Sequence, residues 1–159
     1  MNIAVKKTLY IIAVLTIFIT SGCNALTAKE IGRLPINEVS IDDDHLIVKE
    51  TELLLKKGDQ LSIWSDMNIA YQGEVSLLFK LEILKDGEQM GGMEIDPTDK
   101  KITIGEFKKQ VMDQTDWSFT GRNSGFIVDD DGTYTFRGIL VASDNPSLKV
   151  SKAEVVFKK

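Results

Sequence analysis

From Leu46 onward, apolar residues recur at every second position in short runs cut by Gly, Asp, Asn and Pro. The clearest run is Glu74 to Lys85, where Val75, Leu77, Phe79, Leu81 and Ile83 fall on one face. Five apolar residues at period two predict a half-buried strand. Leu78 and Leu84 partly cover its other face, which places some of it mid-sheet. Asp86-Gly87 follows at once, a strong hairpin signal, and Gln89 to Ile95 makes the return strand.

The same reading gives strands in His45 to Lys57, Gln60 to Asp66, Thr115 to Gly121, Gly125 to Val128, Thr133 to Ala142 and Leu148 to Phe157. Lys101 to Met112 is ambiguous. Ile104, Phe107 and Val111 fit one face of a short helix, whereas Ile102, Thr103 and Ile104 fit a strand. Strand neighbours and the lack of a helix cap favour a strand at a sheet edge. Eight or nine strands at roughly ten-residue spacing predict an all-β fold, an antiparallel β-sandwich or barrel. Lys57-Gly58-Asp59-Gln60-Leu61 before an early strand and Asp131-Gly132-Thr133-Tyr134 before a late one resemble jelly-roll modules of the carbohydrate-binding and exported-protease C-terminal kind. That resemblance implies a jelly-roll-like sandwich and carries no activity with it.

The N-terminal region has a different pattern. Lys6 and Lys7 are followed by an apolar run from Leu9 to Ile19, interrupted only by Tyr10 and Thr16, and then by Ser21, Gly22 and Cys23. A positive start, a short apolar stretch and small residues at the exit are the parts of a secretory signal. As a helix the run would extend only about 16 Å, against roughly 30 Å of bilayer hydrocarbon, so it is too short for a spanning anchor.

Ile19-Thr20-Ser21-Gly22-Cys23 resembles the lipobox of bacterial lipoproteins, with Thr20 where that family usually has Leu. The resemblance implies a signal peptide over 1–22 and diacylglycerol on the Cys23 thiol, with acylation of its amine. Two or more acyl chains on one residue make release from a bilayer negligible. Asn24 stands where enterobacterial inner-membrane lipoproteins carry Asp, which implies the outer membrane, facing the periplasm. Residues 23–45 then read as the lipidated cysteine and a tether, with Pro35, Asn37 and Asp42-Asp43-Asp44 breaking any regular element. Residues 46–159 read as the sandwich domain.

Composition narrows the chemistry. The chain is 43% hydrophobic and 27% charged, as expected of a folding domain rather than a disordered one. Its net charge is −5, and removal of Lys6 and Lys7 makes the remainder more acidic still. An acidic domain gains nothing from a polyphosphate, so nucleic acid is excluded as a partner. The expected partners are membrane lipid, through Cys23, and an envelope protein or glycan. With one cysteine there is no internal disulfide.

The only histidine, His45, adjoins a triple-aspartate loop, and no Gly-x-Ser-x-Gly elbow is present. No pair among 24 acidic residues stands out for acid–base work. The expectation is therefore a non-enzyme without a cofactor. Asp129 and Asp131, within Asp129-Asp130-Asp131-Gly132, and the earlier Asp42 to Asp44 are oxygen-rich enough for Ca²⁺. Asp-Gly before a strand is more simply turn chemistry.

A sugar site on a sandwich needs exposed aromatic faces, and Trp64, Tyr71 and Trp117 are the candidates, with Arg122 and Asn123 as hydrogen-bonding neighbours. Trp64 follows Ile63, so the two point to opposite faces of their strand. The competing expectation is a buried Trp64 and a Trp117 that joins Phe119 in the core, since large aromatics dominate cores.

Overall fold

The computed structural model describes residues 28–41 and 45–159. Among the described residues nine strands run in chain order: β1 (Glu30–Pro35), β2 (Lys49–Leu55), β3 (Gln60–Gln72), β4 (Leu77–Lys85), β5 (Glu88–Ile95), β6 (Ile102–Val111), β7 (Gln114–Ile127), β8 (Gly132–Ala142) and β9 (Lys149–Lys158). They form two antiparallel sheets, one ordered β1-β9-β3-β7-β6 and the other β2-β8-β4-β5. The pairings are nested: β1 with β9, β2 with β8, β3 with β7, and β4 with β5 at the turn. The chain is thus one long hairpin rolled up until its arms alternate between two layers, the jelly-roll pattern. β6 lies outside the nesting as an extra strand on the flank of the larger sheet.

The alternation read from the sequence fills the space between the sheets. Ile63, Met67 and Ile69 from β3 and Val155 and Phe157 from β9 meet Phe79 and Leu81 from β4 and Phe136 and Leu140 from β8. The rings of Phe136 and Phe157 sit 4.3 Å apart and tie the layers together. The β4–β5 hairpin turns on Asp86 and Gly87, both at positive φ, as a tight turn matching strand twist requires.

Four sequence expectations need correction. Residues 23–45 are not all tether: β1 pairs with β9, and Leu34 and Ile36 are both 0% exposed. Pro35 does not break the strand, because it stands at the end of an edge strand where no ladder donor is needed. β3 runs on to Gln72, six residues past its expected end, because polar Asp66 and Asn68 fall on the outer face while Met67, Ile69 and Tyr71 keep the inner register.

The expected strands Thr115 to Gly121 and Gly125 to Val128 are one continuous strand, β7. Asn123 is an extra residue in its ladder with β3, where Ile63 faces Ser124 and Trp64 faces Arg122. A β-bulge, rather than a turn, takes up the polar stretch. The ambiguous segment at 101–112 is strand β6, at a sheet edge as expected.

Candidate functional site

The expected site residues do not gather in one place. Trp64 is on the outer side of its sheet, away from Ile63, yet is 2% exposed. Val156 on β9 and Arg122 on β7 stand opposite it. Lys158 lays its Nζ 4.2 Å from the ring centroid, and the indole N–H donates to Ser62 Oγ at 3.0 Å. A lysine stem and a cation over the ring replace solvent on that face. Tyr71 lies on the inner side and is 7% exposed. Two of the three aromatics therefore have no free face and lie on opposite sides of β3, so they form no stacking platform.

Trp117 is half-buried on the inner side of β7, packed on Phe119 with centroids 4.8 Å apart. Its indole N–H donates to Glu106 Oε1 at 2.7 Å, and the same oxygen accepts from Lys100 Nζ at 2.7 Å. Lys108 Nζ stands 4.0 Å from the Trp117 centroid, and Lys100 Nζ stands 4.0 Å from that of Phe119. The Lys100 ammonium and then the indole N–H stabilise the Glu106 carboxylate and hold its pKa below the usual value. Lys100, Glu106 and Lys108 were not legible as partners of Trp117, since the crossover loop before β6 brings Lys100 back over Gly121, where even a Cβ would collide with its stem.

Asn123 has a structural task. Its side-chain carbonyl accepts from Ser65 Oγ at 2.7 Å, and its amide donates to the backbone carbonyls of Asp96, Pro97 and Asp99. The bulge thus pins the β5–β6 crossover to the larger sheet. Arg122 sits on the opposite, outer side, and its Nε is buried with no hydrogen-bond partner among the described residues.

Of the calcium candidates, Asp131 is engaged in turn chemistry, whereas Asp129 is exposed. Asp131 Oδ1 accepts from the Lys57 backbone N–H at 2.7 Å, linking the β2–β3 turn to the β7–β8 loop. Among the described residues no three His, Cys, Asp or Glu side chains are placed to hold a metal ion. His45 is exposed ahead of β2. Cys23 and Asp42 to Asp44 lie outside the described residues.

An apolar opening lies on the flank where the sheets part. β6 pairs with β7 only as far as Arg122, so among the described residues no strand neighbours the end of β7 on that side. Facing it across the gap is β5, the edge of the smaller sheet. Between them is a cleft of about 260 Å³ lined by Met90, Met93, Phe126, Ile127, Val128 and Tyr134, with Asp129 at its end. Met90 is itself an extra residue in the β4–β5 ladder, where Ile83 faces Gly91 and Leu84 faces Gln89. Thioether side chains repack easily around different shapes. No family model matches the chain, and no curated protein matches it. The reading of this flank therefore rests on its own chemistry, which is apolar contact between two strand edges with free backbone groups.

The outer side of the larger sheet holds the densest charge. Arg33 on β1 bonds Asp66 on β3 at 2.8 Å, Glu30 at 2.9 Å, and Glu154 on β9. Lys152 reaches Asp66 at 3.4 Å. Burial raises the Asp66 pKa, but Arg33 and Lys152 outweigh it and the net shift is downward. Each charge faces an opposite one, so the cluster fastens three strands together and leaves no group poised for proton transfer.

Proposed function

We propose that the chain is a lipid-anchored cell-envelope protein, held to a membrane by acylated Cys23, whose jelly-roll domain has a non-enzymatic binding or scaffolding role. The observation that carries the reading is the short leader ending in Ser21-Gly22-Cys23 ahead of a sandwich whose polar side chains are engaged in holding the fold. The open flank between β5 and the end of β7 is the contact surface, because it joins an apolar cleft to strand edges able to pair with an incoming segment. The outer membrane, facing the periplasm, is the expected address, with an envelope protein as the partner there. The burial of Trp64 and Tyr71 argues against a carbohydrate-binding role, since of the three aromatics only Trp117 is half-buried rather than buried.

Intact-mass measurement on membrane-extracted protein tests the anchor. The expected species lacks residues 1–22 and carries diacylglycerol, and Cys23→Ala accumulates as unlipidated precursor. Recovery of a chain with Met1 still attached would overturn the reading. For the binding role, tryptophan fluorescence should stay flat across a glycan panel. A glycan-dependent change abolished by Trp117→Ala would favour the carbohydrate reading instead.

A further inference from the structure

β6 is the most exposed strand of the fold: every residue from Thr103 to Val111 is exposed, and among the described residues no strand pairs with its outer edge. Long edge strands with apolar side chains invite pairing with another chain. Phe107 is 63% exposed and Val111 54%. Both lie on the outer side of the sheet, opposite Ser118 and Gln114 of β7. Glu106 and Lys108 lie on the inner side, opposite Phe119 and Trp117.

Which backbone groups face outward follows from the hairpin. β6 and β7 are joined by the two-residue turn Met112-Asp113, closed by Val111 and Gln114, with Met112 at φ 56°. The closing pair of such a turn exchanges hydrogen bonds, so Lys109 and Phe107 also direct their backbone groups to β7. Glu106, Lys108 and Gln110 direct theirs to the free edge.

We infer that β6 pairs antiparallel with β6 of a second copy of this chain about a two-fold axis at Phe107, joining the two larger sheets edge to edge. The sequence of the edge selects this register. With Phe107 opposite Phe107 of the second copy, Glu106 stands opposite Lys108 and Lys108 opposite Glu106. Both are positions whose backbone groups are free to bond. Two cross-strand ion pairs form on the inner side, and the two phenyl rings meet on the outer side in the closer, non-hydrogen-bonded spacing. Shifting the register by one residue, which moves the axis by half a residue, would point bonding groups at non-bonding ones. Sliding the axis two residues places Lys109 opposite Lys109 or Gly105 opposite Gly105, and in both cases removes the Glu106–Lys108 match. An axis at Lys108 or Glu106 sets like charges face to face.

The charged side chains that would ordinarily protect such an edge are thus self-complementary in one register. The bulge at Ile104, where Thr103 faces Gly121 and Gly105 faces Thr120, bends the strand at the end of the matched segment. It confines pairing to the stretch around Phe107 and discourages open-ended growth. Closure about a two-fold axis uses the edge completely and gives a dimer rather than a fibre.

Cysteine cross-linking in the full chain tests the register. In membranes carrying Phe107→Cys, mild oxidation should give a disulfide dimer. Lys109→Cys and Val111→Cys, whose partners in this register are Gly105 and Thr103, should cross-link at least roughly tenfold more slowly, since only residues directly opposite come within disulfide reach. The parent chain gives the background from Cys23. In the Phe107→Cys background, Glu106→Lys should cut cross-linking roughly tenfold by replacing both ion pairs with repulsions. Adding Lys108→Glu should restore it. The restored variant carries the same loss of the Glu106 contacts to Lys100 and Trp117, so rescue separates pairing from folding. No dimer at position 107, equal yields at 107, 109 and 111, or failure of the double variant to recover would each overturn the inference.

Discussion

The larger sheet ends in two very different edge strands. β1 is six residues long, yet its Leu34 is fully enclosed and its Arg33 is fastened to Asp66, Glu154 and Glu30. β6 is ten residues long and almost wholly exposed. Both are edges of one ladder, so hydrogen bonding does not distinguish them. The difference lies in what covers each: β1 rests against β2 of the smaller sheet, with Gly32 close enough to Leu53 that a Cβ would collide with it, whereas β6 overhangs past β5. Edge strands are stabilised by the second layer, and one that projects beyond it is available for other contacts.

The sharpest way to break the comparison is to cut into each edge in turn. Leu34→Ala should cost about 3 kcal/mol, because the site is closed on all sides and leaves a cavity. Urea denaturation should show the shift in midpoint, and a loss below about 1 kcal/mol would mean that β1 is not integral to the core. Asn123→Ala comes next, at about 2 kcal/mol, since it strands Ser65 and three loop carbonyls. It should also speed amide exchange across the crossover loop at 96–101, with little change around β1.

Arg33→Met should cost about 1 kcal/mol after allowance for its partial exposure. It carries a pH signature. Glu30 and Asp66 have pKa values held below those of the unfolded chain, so they add stability that is fully present above about pH 4.5 and is lost as pH falls through their folded values. Removing Arg33 should flatten that acid limb. An unchanged slope below about pH 4 would show that the network does not set it. The smallest effect is expected at the other edge: Phe107→Ser, measured at concentrations that keep the chain monomeric, should stay within about 0.5 kcal/mol.

The same contrast explains what could be read from the sequence. Wherever a strand has one face in the core, as in β4 or β8, side chains alternate and the element is visible. β1 was hidden because Leu34 and Ile36 stand among Arg33, Pro35 and Asn37, a pattern that also fits a tether. Their burial depends on β9, at the other end of the chain, and on β2. The position of Trp64 followed from Ile63, but its cover did not, since Lys158 and Val156 reach it from the last strand. Asn123 was singled out as a neighbour of the aromatics, whereas its amide is committed to a loop more than twenty residues upstream. The cleft left little trace, because each of its walls is an ordinary apolar strand end. Only the divergence of the two sheets creates the space between them.

The inclusion of β1 in the fold has a geometric consequence. The first described backbone bond, from Lys29 N–H to the Lys159 carbonyl, fixes Lys29 at six residues after Cys23 in the sequence, a chain length that spans at most about 20 Å. With Cys23 as the anchor, the pole carrying the Asp86-Gly87 turn is kept close to the lipid headgroups. In that arrangement the Met112 tip, 92% exposed at the opposite pole, would point into the aqueous space beyond. So anchored, the domain would be met on its flank from the side.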